Sequence, residues 1–429
     1  MQTFTIIFVI ALILTTYLRI WLSSRHVRHI QSHRDSVPDE FLTQIDLASH
    51  QKAADYTCSK TRLGYINTLI EALLLLSLTL GGGLNALSAL WSEWLGISTS
   101  IDGRSADYPI THGVALIIST VMLMSLVEIP LSYYRTFVIE QRFGFNKMTP
   151  GMFFSDLVKQ TTLGVLIGTP LLLGILWLMK EMGDHWWLYA WLAWMGFNLL
   201  ILSVYPTWIA PLFNKFTPLT DDALKSRIEQ LMHKCGFESS GLFVMDGSRR
   251  SNHGNAYFTG FGRTKRIVFF DTLLSRLDPP EIEAVLAHEL GHFKRRHVIK
   301  RIILSFIMSL VFLWGLGQLM QQEWFYQGLG VDVQFIPSTA MALLLFFLAM
   351  PVFTLLLQPL SSLYSRRHEF EADEYAADKS SASDLIRALV KLYQDNASTL
   401  TPDPLHSAFY DSHPPASLRI ARLQKLTHH

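Results

Sequence analysis

The 429-residue chain is half hydrophobic, only 17% charged and carries a net charge of +1, with a mean hydropathy of +0.25. A soluble domain carries about 25% charged residues; here the deficit falls in long apolar runs, so the composition excludes an ordinary soluble domain and implies a polytopic membrane protein. No basic cluster interleaved with aromatics points to nucleic acid, and Cys58 and Cys235 are too few and too scattered for a disulfide framework or a thiolate metal site.

Seven segments approach or exceed the roughly 20 apolar residues that a bilayer core requires. They lie near 4–23, 65–92, 110–134, 158–180, 186–212, 302–321 and 338–360. The first lacks a preceding basic flank, so it reads as a span and not as a cleavable leader. Gly81-Gly82-Gly83, Pro130, Pro170 and Pro351 interrupt spans, as is tolerated where protein or a cavity re-satisfies the backbone. Asn67, Glu71, His112, Glu128 and Asn198 fall at membrane depth; Glu71 and Glu128 either pair or line a wet cavity. Loop 24–64 holds Arg25, Arg28, Arg34, Lys52, Lys60 and Arg62, and loop 135–157 holds Arg135, Arg142 and Lys147. By contrast, 93–109 has only Arg104, and 181–185 and 322–337 have no basic residue. Basic loops stay in the cytoplasm, which puts the N-terminus outside and the C-terminus inside. The chain then divides into spans one to five (1–212), a cytoplasmic segment (213–301), spans six and seven (302–360) and a cytoplasmic tail (361–429). Asn396-Ala397-Ser398 matches a glycosylation acceptor that would be idle on that side.

The chemistry sits in His288-Glu289-Leu290-Gly291-His292. Residues four apart share a helix face, so both imidazoles can reach one zinc ion while Glu289 stands beside it as a general base. Asp278 caps the helix, Pro279 or Pro280 suits its first turn, and Glu281 and Glu283 favour its positive end. The run Lys294-Arg295-Arg296-His297 leads into the sixth span and reads as an anchor at the cytoplasmic surface. A catalytic zinc takes three protein ligands and keeps one open position. The best candidate for the third lies just past the seventh span, where Glu369 and Asp373 share a helix face. Glu369 can bind the metal while Asp373 accepts a ring N–H from a ligand histidine. Glu371 and Glu374 read as solvated surface, and Arg366 as a partner for a carboxylate near the metal.

The pairing of H-E-L-G-H with S-R-x-x-E-F-x-A-D (Ser365 to Asp373) in a seven-span chain resembles the type I CAAX prenyl endopeptidase family of membrane zinc metallopeptidases. Phe137 to Asn146, Ser251 to Tyr257, Phe269 to Leu274 and His413-Pro414 also match, so the resemblance runs from about 137 to 415. It implies one zinc per chain held by His288, His292 and Glu369, Glu289 as base, and Asp373 behind the ligands. It further implies Asn255 and His413 near the substrate or its developing oxyanion, and spans that enclose a chamber. Read from the residues alone, Asn255 is an ordinary turn residue, and a lone His before Pro, as at His413, is more often structural. Asn255 to Thr259 and Arg266 to Phe270 read as a β-hairpin with a Gly/Arg/Thr/Lys turn, whose edge can take a peptide as an added strand.

The expected fold is therefore an all-α polytopic membrane protein with seven transmembrane helices around a chamber and a small cytoplasmic α+β metallopeptidase unit. The expected activity is zinc-dependent hydrolysis of peptide bonds near the cytoplasmic face, on a peptide or protein substrate that is lipidated or membrane-associated. In the family the reaction removes the C-terminal tripeptide of CAAX substrates. Rival readings are a membrane-protein quality-control metalloprotease, a transporter or channel, and a metal-dependent scaffold. The C-terminal Leu426-Thr427-His428-His429 carries no retrieval signal, and with the compact tail it favours a bacterial inner-membrane protein.

Overall fold

A computed structural model describes residues 2–97, 108–238, 241–259, 266–331 and 338–427. Its helices run in chain order as α1 (Thr3–Ser32), α2 (Leu47–Leu78), α3 (Gly83–Trp94), α4 (Ile110–Tyr134), α5 (Pro150–Glu181) and α6 (Trp186–Val204). Strand β1 (Phe216–Pro218), α7 (Asp222–Cys235), β2 (Gly241–Met245), β3 (Ala256–Thr259), β4 (Arg266–Phe270) and α8 (Asp271–Leu274) follow. The remainder is α9 (Pro279–Lys294), α10 (His297–Leu319), α11 (Glu323–Gly328), α12 (Thr339–Thr354), α13 (Gln358–Lys379), α14 (Ala382–Asp395), α15 (Pro404–Tyr410) and α16 (Ala416–Thr427). The expected Gly/Arg/Thr/Lys turn, Arg104 and the terminal His428-His429 lie outside the described residues.

Seven helical stretches are long and apolar enough to cross a bilayer: Thr3–Ser32, Leu47–Leu78, Ile110–Glu140, Pro150–Glu181, Gly183–Leu212, His297–Leu319 and Thr339–Lys379. The second span differs from its expected extent. It ends at Leu78, and a β-carbon on Gly81 or Gly83 would lie 2.8 or 2.7 Å from the Ser77 carbonyl oxygen. With Gly82 at φ 77°, the three glycines let the chain double back, and α3 becomes a separate helix packed on α4. The last span differs most from the others, since 56% of its apolar window is buried. It packs against α1, α4, α5 and α10 and runs on with little interruption through α13, which leaves the bundle.

Cavities open among the spans. One of about 500 Å³ lies between α4 and α5 and includes Glu128, Gln160 and Thr161 in its lining. Another of about 370 Å³ lies between α1, α2 and α12 and includes Arg19 and Glu71. Glu71 both pairs with Arg19, at 2.8 Å, and lines a cavity.

Beyond the spans a second core forms. The sheet has strand order β1-β2-β4-β3, with β2 and β4 parallel and the other pairs antiparallel. The hairpin of β3 and β4 pairs Ala256 with Phe269 and Thr259 with Arg266, leaving β3 at the sheet edge. Phe269 and Ile267 of β4 join Ile228 of α7, Leu286 of α9, Ala376 of α13 and Leu385 of α14 in one buried cluster. Phe269 is wholly buried, so Phe269→Ala should cost about 3–5 kcal/mol. A thermal scan of detergent-solubilised protein should show a clearly lowered midpoint, and an unchanged midpoint would contradict this packing.

Candidate metal centre

Helix α9 is set at its N-terminus by a capping box. The Asp278 carboxylate accepts from the backbone of residue 281, and Glu281 accepts from the Asp278 N–H at 2.9 Å. Lys391 of α14 donates to both carboxylates at 2.8 Å, which satisfies the buried Glu281. The face of α9 turned to the core reads Ile282, Ala284, Leu286, Ala287, His288, Leu290 and Gly291. It meets Glu369, Ala372, Asp373 and Ala376 on the buried face of α13. Gly291 decides how near the helices come: a β-carbon there would lie 3.0 Å from the Ala372 Cα and 3.1 Å from its carbonyl oxygen.

That approach brings three donor atoms together. His288 Nε2 and His292 Nε2 are 3.2 Å apart, His288 Nε2 is 3.4 Å from Glu369 Oε2, and His292 Nε2 is 3.3 Å from Glu369 Oε1. A tetrahedral ion with bonds of about 2.0–2.1 Å has ligand-to-ligand edges of about 3.3 Å, so the triad fits a metal. The buried Glu369 Oε2 has no hydrogen-bond partner in the protein, which is a costly condition that a cation relieves. Glu289 stands half-buried on the same turn of α9.

Behind the triad, His288 Nδ1 lies 2.9 Å from Asp373 Oδ1. Asp373 in turn accepts from both Arg419 Nε at 2.9 Å and an Arg419 terminal nitrogen at 2.6 Å. Burial disfavours a charged His288, but the adjoining carboxylates of Asp373 and Glu369 outweigh it and push its pKa up to about 9.

His413 is 61% exposed, with Nε2 3.5 Å from Glu369 Oε2. It shares with Asn255, Tyr393, Asn396 and Arg419 the lining of a cavity of about 560 Å³. The structure therefore brings both residues to one side of the metal site. Asn255 is held by its surroundings: its carbonyl accepts from the Phe270 N–H at 3.0 Å, and just before it the Asn396 side-chain oxygen accepts from the Gly254 N–H at 3.2 Å. His253 also lies 3.5 Å from Glu140, which accepts from the Tyr56 hydroxyl at 2.6 Å. Asn252 donates to the Gly144 carbonyl at 2.8 Å. The motifs at 137–146 and 251–257 thus brace each other.

Two sequence readings change. Arg366 does not reach a carboxylate at the metal; it donates to the Asp411 carbonyl at 3.1 Å and to the carbonyl and hydroxyl of Ser407. These carbonyls close α15, whose C-terminal end attracts a cation, so Arg366 holds the chain leading to His413. The carboxylate partner is Arg419, which the sequence does not mark because it sits in an ordinary amphipathic helix. Glu371 is not merely solvated: its Oε2 lies 3.0 Å from Nε2 of the buried His297. Glu374 does behave as surface and pairs with Arg422.

Residues 26–215 match the family described as "CAAX prenyl protease N-terminal, five membrane helices" and residues 218–427 match "Peptidase family M48". The chain is 33% identical over 386 residues to the CAAX prenyl protease 1 homolog of Arabidopsis thaliana, covering 90% of this chain and 89% of the relative. It is 38% identical over 314 residues to CAAX prenyl protease 1 of Saccharomyces cerevisiae, covering 70% and 69%. The crystal structure of S. mikatae Ste24p superimposes with a TM-score of 0.87 at 30% identity, covering 99% of both chains. These relatives are eukaryotic and lend no support to a bacterial source.

Two outcomes follow from this geometry. Gly291→Ala forces α9 and α13 apart at a cost of about 1–3 kcal/mol, and metal retention against a chelator should fall more sharply than thermal stability. Retention equal to the parent's would show that the contact does not set the triad. Below pH about 9 an incoming metal must also displace the His288 proton. Apparent metal affinity should therefore strengthen by about tenfold per pH unit up to that point; competition titrations at several pH values read this directly.

Proposed function

The chain belongs to peptidase family M48 and is an integral-membrane metalloendopeptidase, and from that premise we propose that it uses one zinc ion to cleave CAAX-type substrates at the cytoplasmic membrane face. The observation that carries the reading is the convergence of His288, His292 and Glu369 on one point, beside Glu289 and next to the cavity shared by Asn255 and His413. A zinc ion held there supplies Lewis acidity, polarising the scissile carbonyl and acidifying water.

The protein's own groups do the rest. Glu289 takes the proton of the attacking water and hands it to the leaving amine, so no covalent intermediate is needed. His413, exposed on the open side, donates to the carbonyl oxygen as negative charge develops. The free edge of β3 receives the substrate as an added strand, with Asn255 at the strand's beginning to hold the peptide near the reacting bond. Asp373 and Arg419 keep His288 oriented.

The relatives are named CAAX prenyl proteases, which supports a substrate whose C-terminal tripeptide is removed after a lipidated cysteine. A lipid chain on the substrate suits a site fixed to a bundle whose cavities are lined mainly, though not wholly, by apolar side chains. The basic loops 24–64 and 135–157 support the cytoplasmic side for this site.

Release of the tripeptide from a farnesylated peptide, followed by mass spectrometry, tests the proposal. Glu289→Gln should retain about one zinc per chain while kcat falls roughly 10²–10⁴-fold. Cleavage at the parental rate would remove Glu289 as base. Equal turnover of an unlipidated peptide would remove the lipid from the recognition.

A further inference from the structure

We infer that His297 and Glu371 are positioning residues that lock His292 in the tautomer able to bind the metal. The inference rests on the zinc reading of His288, His292 and Glu369 and adds two residues outside that triad. His292 Nδ1 lies 2.9 Å from His297 Nδ1, and His297 Nε2 lies 3.0 Å from Glu371 Oε2. The other carboxylate oxygen, Oε1, accepts from Arg367 Nε at 3.0 Å. His297 is wholly buried and stacks on His368, with ring centroids 4.0 Å apart and planes within 12°.

These contacts fix the protons in sequence. An ionised carboxylate only accepts, so the proton between Glu371 and His297 sits on His297 Nε2. A neutral His297 then has its lone pair at Nδ1, where it can only accept. His292 must therefore donate from Nδ1, which leaves the lone pair of Nε2 pointing into the triad. A doubly protonated His297 would set an N–H against His292 Nδ1 and turn the proton of His292 towards the metal. His288 receives the same service directly from Asp373. Both orienting carboxylates, like the third ligand, come from α13.

The chain path is built for this contact. Five residues along an unbroken helix, His297 would lie about 140° around the axis from His292. The helix does not continue: Arg296 adopts φ 56° and ψ 33° between α9 and α10. A non-glycine residue in that left-handed region is uncommon, and here the bend folds His297 back against His292.

Zinc affinity, measured by chelator competition in full-length detergent-solubilised protein, tests the inference. His297→Phe keeps a ring for the His368 stack but offers no acceptor, and Glu371→Ala removes the carboxylate; each should weaken zinc binding about 10–100-fold. Glu371→Gln, whose amide oxygen can still accept from His297, should recover most of the loss. Long-range ¹H–¹⁵N spectra of histidine-labelled, metal-free parent should show His292 protonated at Nδ1. Should His297→Phe fail to fold, the Ala and Gln variants at Glu371, which is partly exposed, decide the matter alone. Affinities within about threefold of the parent in the variants that fold, or a His292 proton on Nε2, would overturn the inference while leaving the zinc reading intact. A parent that binds no zinc would overturn both.

Discussion

The contact between Gly291 and Ala372 is the constraint on which the centre depends. The pentapeptide His288 to His292 places two imidazoles and a carboxylate on one helix, and the proposed metal site needs a third donor within about 3.3 Å of both imidazole nitrogens. That donor, Glu369, belongs to another helix almost 80 residues on. Only a residue without a side chain lets the α9 and α13 backbones come close enough for its short carboxylate arm to arrive. Alanines at 284, 287, 372 and 376, all buried, continue the same seam.

The second helix of that pair is also where the membrane enters the chemistry. Helix α13 prolongs the most buried span, so Glu369, Glu371 and Asp373 are carried on an element rooted in the bundle. Charges buried at that junction are compensated locally, as burial requires: Asp373 by Arg419 from the C-terminal helix and Glu281 by Lys391. Elements from both ends of the chain thereby lock onto one site. Arg25 near the end of α1 pairs with the buried Asp403 at the start of α15, and Arg366 holds the far end of α15, from which the chain reaches His413.

What could be read from the sequence follows from the range of each interaction. Spans, the zinc-motif helix, its cap and the β3–β4 hairpin depend on local period and composition, so the cap at Asp278, the prolines after it and the four-residue histidine spacing are enough to place α9. Glu369 and Asp373 were legible because four-residue spacing announces a shared face. Arg419, Asn396 and His297 were not, because their roles exist only after distant segments meet. His297 looked like the last of a basic run, and only the left-handed turn at Arg296 brings it to His292. The break of the second span at Gly81 to Gly83 was visible as composition, but its consequence, a reversal into α3, depends on packing against α4.

X-ray absorption at the zinc edge of the purified full-length protein tests the central claim most directly. The account requires one zinc per chain, with two imidazole nitrogens and oxygen ligands at about 2.0–2.1 Å, and loss of the ion in Glu369→Ala. A metal-free protein, or a first shell lacking two imidazoles, would contradict it.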